Sequence, residues 1–165
     1  MLPFPTPPPT EEPVRIVLHE GGRRGLWPLF ELADDSLLAI CEYLDQGVVH
    51  VASRAGRAVG HSQVLQGEDG VCELRSLSVV PRHRRQGLGT RLVARSVSWV
   101  RDRSGSRLVT GIPSAKLELL GFYQRLGFRV LRVERDAYGP DLGYSVEHVA
   151  NGIRVRDRVW LELEI

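Results

Sequence analysis

Residues 77–90 run Leu77-Ser78-Val79-Val80-Pro81-Arg82-His83-Arg84-Arg85-Gln86-Gly87-Leu88-Gly89-Thr90. A β-branched strand enters a basic loop that holds two glycines, and the helical spacing of Leu88, Leu92, Val93, Val97 and Val100 follows at once. Glycine lets the backbone turn with its N–H groups aimed into one concavity, and a helix N-terminus adds partial positive charge. Arg84 and Arg85 add two full charges. Such a stretch is built to hold a pyrophosphate. A P-loop is excluded because no Gly-Lys pair exists, and the dinucleotide fingerprint fails because Leu92 stands where its third glycine belongs. The spacing that fits is Arg84-x-x-Gly87-x-Gly89.

Outward from this loop, the pattern predicts an α/β (α+β) domain. Val14, Ile16 and Leu18 alternate as a strand; Leu26, Leu29, Phe30 and Leu32 form a helical stripe. Asp34, Asp35 and Ser36 offer an N-cap to a second helix with Leu37, Ile40, Cys41 and Leu44, ended by Gly47. Strands are expected over 48–52, 58–65 and 71–80, then the helix from Leu88 to about Arg103, then a strand over 107–112. Ser114 is a plausible cap for a helix reaching Leu126, with Gly127 in the C-cap place. A strand over 128–133, a turn-rich segment over 136–152 and a closing strand over 155–165 complete the order β-α-α-β-β-β-α-β-α-β-β. This is a mixed, mostly antiparallel central sheet with about four helices.

Length and composition narrow the function classes. One domain fits 165 residues, with 42% hydrophobic and 25% charged side chains. Residues 1–13 hold six of the ten prolines and read as a mobile tail, or as a PxxP docking peptide, ahead of a folded unit at 14–165. The prolines also occupy the place of a signal peptide's apolar helix, and no apolar run approaches a membrane span, so a cytoplasmic protein is expected. A net charge of +2 from 22 basic and 20 acidic residues is weak for a duplex binder. Lys116 is the sole lysine; the arginine excess reads as the codon bias of a GC-rich, bacterial genome. Cys41 and Cys72 lack metal-ligand spacing and are expected as buried, reduced thiols; His19, His50, His61, His83 and His148 are scattered, so no metal is predicted.

A second motif lies downstream, Gly121-Phe122-Tyr123-Gln124-Arg125-Leu126-Gly127-Phe128. Together the two motifs resemble the GNAT superfamily of acyl-CoA-dependent N-acyltransferases, with the [RQ]-x-x-G-x-[GA] loop and then the Phe-Tyr-x-x-Leu-Gly-Phe run. The resemblance implies acetyl-CoA as co-substrate. Its pyrophosphate would lie on Arg84, Arg85, Gln86, Gly87, Leu88, Gly89 and Thr90, and its pantetheine arm would pair with Leu77, Ser78 and Val79. It also implies Tyr123 as general acid for the leaving thiolate, against the alternative of a core aromatic. Lys116 and Leu119 depart from the asparagine and the small residue often found in the family at those places.

Glu73 is the candidate base, since strand alternation would put Glu73, Arg75, Leu77 and Val79 on one face, which the resemblance turns toward the acceptor cleft. Its alternative is a salt bridge to Arg75. For the amine acceptor, a small molecule or a peptide, the resemblance points to the first two helices and the late strands. Asp34 and Asp35 would either cap or attract a cation there, and Tyr138 and Tyr144 would either line the site or pack the insert. The activity implied is N-acetyl transfer from acetyl-CoA to a primary amine in a ternary complex. Its rivals are a non-catalytic acyl-CoA sensor of the same fold and a nucleic-acid binder using the arginines. A homodimer with its seam at the closing strand stays open.

Overall fold

The computed structural model describes residues 12–165, so the proline-rich tail as far as residue 11 lies outside the described residues. The strands are β1 (Arg15–Leu18), β2 (Val48–Arg54), β3 (Arg57–Gln66), β4 (Val71–Val79), β5 (Arg107–Pro113), β6 (Arg129–Glu134), β7 (Val149–Ala150), β8 (Ile153–Arg154) and β9 (Arg158–Glu164). The helices are α1 (Trp27–Glu31), α2 (Leu37–Tyr43), α3 (Leu88–Arg101) and α4 (Leu117–Arg125). Seven strands form one sheet in the order β1-β2-β3-β4-β5-β9-β6. Only β4 and β5 pair in parallel; every other neighbouring pair is antiparallel. The expected order holds, with β7 and β8 as a small added hairpin at the end of the turn-rich segment.

Both sheet faces are covered. Leu29 and Phe30 of α1 and Ile40 and Tyr43 of α2 pack on Val49 and Val51 of β2. On the opposite face, Leu88 and Leu92 of α3 meet Ala52 and Val59, while Val93 and Val100 join Leu74, Leu108 and Tyr123 of α4. The stripe at 88, 92, 93, 96 and 100 is buried, as helical periodicity requires of a half-covered helix. Helix α4 ends as its sequence proposes. Gly127 takes φ +93°, the Gly127 N–H reaches Gln124 O and the Phe128 N–H reaches Tyr123 O, a Schellman closure.

Four local expectations need correction. Ser114 does not cap α4: its N–H is drawn to Asp157 O at 2.9 Å, and a turn from Pro113 to Lys116 delays the helix to Leu117. Strand β9 begins at Arg158, because the Val155 N–H completes the small hairpin by donating to His148 O. Cys41 is exposed on α2, whereas Cys72 is buried.

The fourth correction concerns β4. Gln63 pairs with Ser76 and Val64 with Leu74, so Arg75 is a surplus residue, a β-bulge. One extra residue inverts the alternation beyond it. Leu74, Leu77 and Val79 therefore pack toward α3, whereas Ser76 and Ser78 meet His61, which stacks on Phe30 of α1. Glu73 lies opposite Leu65, on the α1–α2 face, and does not share a face with Leu77 and Val79. Among the described residues no helix is long and apolar enough to cross a membrane.

Ser36 caps α2, accepting from the Ala39 N–H at 3.0 Å, and donates to Leu142 O at 2.6 Å while fully buried. Ser36→Ala is expected to cost about 1–2 kcal/mol by losing the cap and stranding a carbonyl. Thermal unfolding checks this; an unchanged Tm would remove Ser36 as the clasp between α2 and the segment around residue 142.

Candidate active site

The basic loop turns sharply between β4 and α3, as its glycines suggest. A 3-10 turn at Pro81–His83 follows β4, and the Arg84 Nε donates back to Val79 O at 2.8 Å. Arg85 (φ +61°) and Gly87 (φ +74°) both take left-handed backbone, which turns the chain into α3. Gly87 is the N-cap and supplies no side-chain acceptor, so the first-turn amides of α3 point outward unsatisfied. Gly89 faces α4, where a Cβ would stand 3.4 Å from Phe122 Cζ, at ordinary van der Waals contact. Leu88 anchors the loop in the core, whereas Arg84, Arg85, Gln86 and Thr90 remain exposed. Gln86 Oε1 accepts from Arg54 at 3.5 Å.

Beside the loop the sheet forks. Parallel pairing of β4 with β5 stops at Glu73 opposite Val109, although both strands run on. Thr110 Oγ1 donates to Leu74 O at 3.0 Å across the start of the gap. Beyond it, the β5-facing edge of β4 has no strand partner among the described residues. A cavity of about 90 Å³ opens in the fork. Leu77, Leu119 and Tyr123 line it from the α3–α4 side, and Asp34, Tyr43, Tyr138 and Tyr144 from the α1–α2 side. The slot thus joins the two faces of the sheet.

Burial governs its protons. Tyr123 is 4% exposed, and desolvation pushes its phenol up to about 12 against a weaker opposing hydrogen bond with Thr110. It stays protonated through the physiological range. Desolvation and the Asp34 charge raise Tyr43 and Tyr144 as well; their hydroxyls donate to the two oxygens of Asp34 at 3.2 and 2.9 Å. Asp34 also accepts from the Ser36 N–H. Asp35 ties the cavity rim together, with Lys116 Nζ at 3.6 Å and His148 Nδ1 at 3.5 Å. Glu73 is raised from 4.5 by desolvation, partly offset by Arg75 and Arg158.

The α1–α2 face of β4 is fixed by a buried imidazole. His61 bridges Ser78 Oγ at 2.9 Å and Ser76 Oγ at 2.8 Å, and Ser78 donates to Leu29 O at 2.7 Å. The ring lies 4.3 Å from Phe30, and desolvation lowers its pKa to about 3. A neutral His61 locks the strand just past its bulge.

The structure brings together most of the residues that sequence singled out. Leu77 and Tyr123 meet in the cavity, Val79 ends the strand that feeds the loop, and Arg84 through Thr90 surround the free amides. Tyr138 and Tyr144 also reach the cavity wall. Ser78 points away, to His61 and α1. Glu73 is not on the wall; its carboxylate stands 4.0 Å from the Arg75 Nε. Arg75, expected on the acceptor side, does line the cavity, whereas sequence reasoning missed Thr110 as a cavity residue and Asp34 as the tyrosine anchor. The Asp34-Asp35-Ser36 run resembles an ordinary cap, and nothing in one sequence marks Thr110 or the bulge. Among the described residues no group of three or more His, Cys, Asp or Glu side chains is placed to hold a metal ion.

Comparison with known proteins fits this geometry. A family model described as Acetyltransferase (GNAT) family matches residues 19–128. An N-acetyltransferase of Bacillus subtilis (strain 168), YvbK, is 26% identical over 152 residues, covering 92% of this chain and 97% of that protein. A Bacillus subtilis acetyltransferase solved in complex with CoA superposes with a TM-score of 0.83 at 26% identity, over 93% of this chain and 99% of the other. An IAA acetyltransferase from Bacillus cereus ATCC 14579 gives 0.82 at 26% identity, over 92% and 100%. At 23% identity, a GNAT family acetyltransferase from Elizabethkingia anophelis with acetyl-CoA bound shares the fold, with a TM-score of 0.84 over 92% and 98%.

The buried imidazoles make stability sensitive to acid. His61, near 3, and His50, lowered to about 4 by burial and then by Arg95 and Arg103, both lie below the usual 6.5. The unfolded chain binds protons that the native one refuses. Stability is therefore full above about pH 6.5 and falls as pH drops toward 4 and 3, by up to about 1.4 kcal/mol per pH unit for each histidine. Calorimetric Tm between pH 7 and 4.5 checks the slope; a His61→Gln variant should flatten it, and an identical slope in that variant would show His61 charged in the fold.

Proposed function

Because this chain belongs to the Acetyltransferase (GNAT) family, whose members use acetyl-CoA, we propose that it moves the acetyl group of acetyl-CoA to a primary amine by direct attack in a ternary complex. The observation that carries this reading is the fork in the sheet. A protonated Tyr123 faces the slot from one side, and the slot lies next to a helix start whose amides are free for a pyrophosphate. The bound CoA and acetyl-CoA of the two similar structures support the choice of donor.

The donor enters from the α3–α4 face. Its pyrophosphate rests on the amides of residues 87–90 with Arg84 and Arg85 beside it, and its pantetheine runs along the open edge of β4 past Val79, Ser78 and Leu77. The amine arrives from the α1–α2 face between Tyr43, Tyr138 and Tyr144. Holding both reactants in line across the slot removes much of the entropic barrier. The amine nitrogen bonds to the thioester carbonyl carbon, the carbon–sulfur bond breaks, and the thiolate takes the Tyr123 hydroxyl proton. A strand amide near Val79 polarises the carbonyl oxygen.

The proton lost by the amine goes to Glu73 through intervening solvent. The bulge carries Glu73 to the face on which the amine arrives, and its desolvated carboxyl is a stronger base than an exposed one. Solvent returns a proton to Tyr123. One catalytic domain over 14–165, acting in the cytoplasm on a small-molecule or peptide amine, completes the proposal.

Acetyl-CoA at about 100 times its dissociation constant should stabilise the fold by roughly 2.7 kcal/mol. Arg84→Ala should shrink the thermal shift; no shift in the wild-type chain at millimolar acetyl-CoA would overturn the donor. Tyr123→Phe should lower kcat about 10²–10⁴-fold with acetyl-CoA affinity nearly intact, and unchanged turnover at every pH would remove Tyr123 from the chemistry. In wild type, activity falls as pH drops through the raised Glu73 pKa. Glu73→Gln should be slower and lack that acidic limb, and a variant that keeps the limb would acquit Glu73.

A further inference from the structure

We propose that the amine acceptor carries a carboxylate close to its nitrogen, as an α-amino acid does, and that the guanidinium of Arg75, with Arg158 beside it, holds that carboxylate. This rests on the acetyl-transfer reading above and names its substrate class.

Arg75 is the surplus residue of the β4 bulge. Its guanidinium stacks over the Tyr43 ring at 4.2 Å, and its side chain is only 23% exposed. It forms no hydrogen bond to another described residue, and its one ion-pair neighbour, the Glu73 carboxylate, stands at the 4.0 Å limit. None of its nitrogens is sealed from solvent, so the acceptors of a ligand can take the place of water on a fork that no acceptor of the fold occupies. A planar carboxylate is the group that fits such a fork in two places at once.

Two cavities meet at this side chain. Arg75 lines the fork, where the amine is acetylated, and also an adjoining cavity of about 200 Å³. Arg158 stands on the wall of the second cavity, its side chain 16% exposed, with Nε donating to the Tyr138 hydroxyl and Nη1 at 3.4 Å from Glu134. Glu134 also accepts from Trp160 Nε1 at 2.7 Å, so it is shared. Among the residues lining that cavity Glu42 is the one acid. A carboxylate on Arg75 leaves the adjacent amine in the fork beside Leu77 and Tyr123. The substituent on the α-carbon then lies against Leu38 and Leu142, which are 51% and 41% exposed and otherwise face water. A bare amine or polyamine would meet two arginines with nothing to offer them.

The test is calorimetric titration of the CoA-loaded protein with L-leucine and L-phenylalanine, their C-terminal carboxamides, and the matching amines isopentylamine and 2-phenylethylamine. The amino acids are expected to bind roughly 10–100-fold more tightly than amides or amines, the range of one charge-assisted bidentate pair. Arg75→Gln should erase that preference while leaving the weak binding of the amines unchanged. Arg75→Lys, which keeps the charge without the fork, should fall between, and Arg158→Gln should lose part of the preference. Unaltered CoA binding by each variant certifies its fold. Amides or amines that bind wild type as well as the amino acids, the absence of binding by any probe, or an equal loss for all three classes in Arg75→Gln would overturn the proposal. Acetylation of the same probes is followed separately: carboxylate-dependent binding without transfer upholds the Arg75 site and overturns the catalytic reading instead.

Discussion

One surplus residue in a central strand governs the architecture around the slot. Before Arg75, β4 presents its apolar side chains to the α3–α4 core in register with β3; after it, the alternation is inverted and the serines face α1. A strand in that condition would slip unless both halves were pinned. Leu74 and Leu77 are held by the core below, and Ser76 and Ser78 by one neutral imidazole above. The last pair with β5 is made at Glu73, two residues before the bulge. The slot, the basic loop at the strand's end and the three tyrosines on the α1–α2 side all take their positions from this segment.

The polar groups around the slot are arranged to keep protons rather than shed them. Tyr43, Tyr123, Tyr138 and Tyr144 are all driven upward, desolvation being the largest cause in each case. For Tyr43 and Tyr144 the nearby Asp34 charge adds to it, and both hydroxyls donate to that one carboxylate. Such a wall changes little in charge across the physiological range, which suits a pocket that must present one electrostatic face to its ligand.

Much of this was legible in the chain. The strand, basic loop and helix from Leu77 onward, and the Gly127 helix ending, depend on backbone demands that only particular residues meet, so their sequence is informative. The order of strands and the two-faced covering follow from periodicity. What escaped was tertiary. A bulge needs no special residue, and Arg75 looks like any alternating strand position until its pairing with β3 is seen. Ser114 looks like a cap, yet its amide is claimed by the Asp157 carbonyl, just ahead of the closing strand and more than forty positions later. Asp34 sits in a run that suits a helix start, and only the return of Tyr144 shows that the oxygen accepting from the Ser36 N–H also anchors a phenol.

The junction between α1 and α2 and the late insert touch through a short series of polar contacts: Ser36 to Leu142 O, Tyr144 to Asp34, His148 to Asp35. Two segments about a hundred residues apart in the chain therefore behave as one exchangeable part. Transplanting either into a relative without the other would break all three contacts at once. A new ligand preference is reached most easily when both vary together, while the sheet beneath and the basic loop after β4 stay as they are.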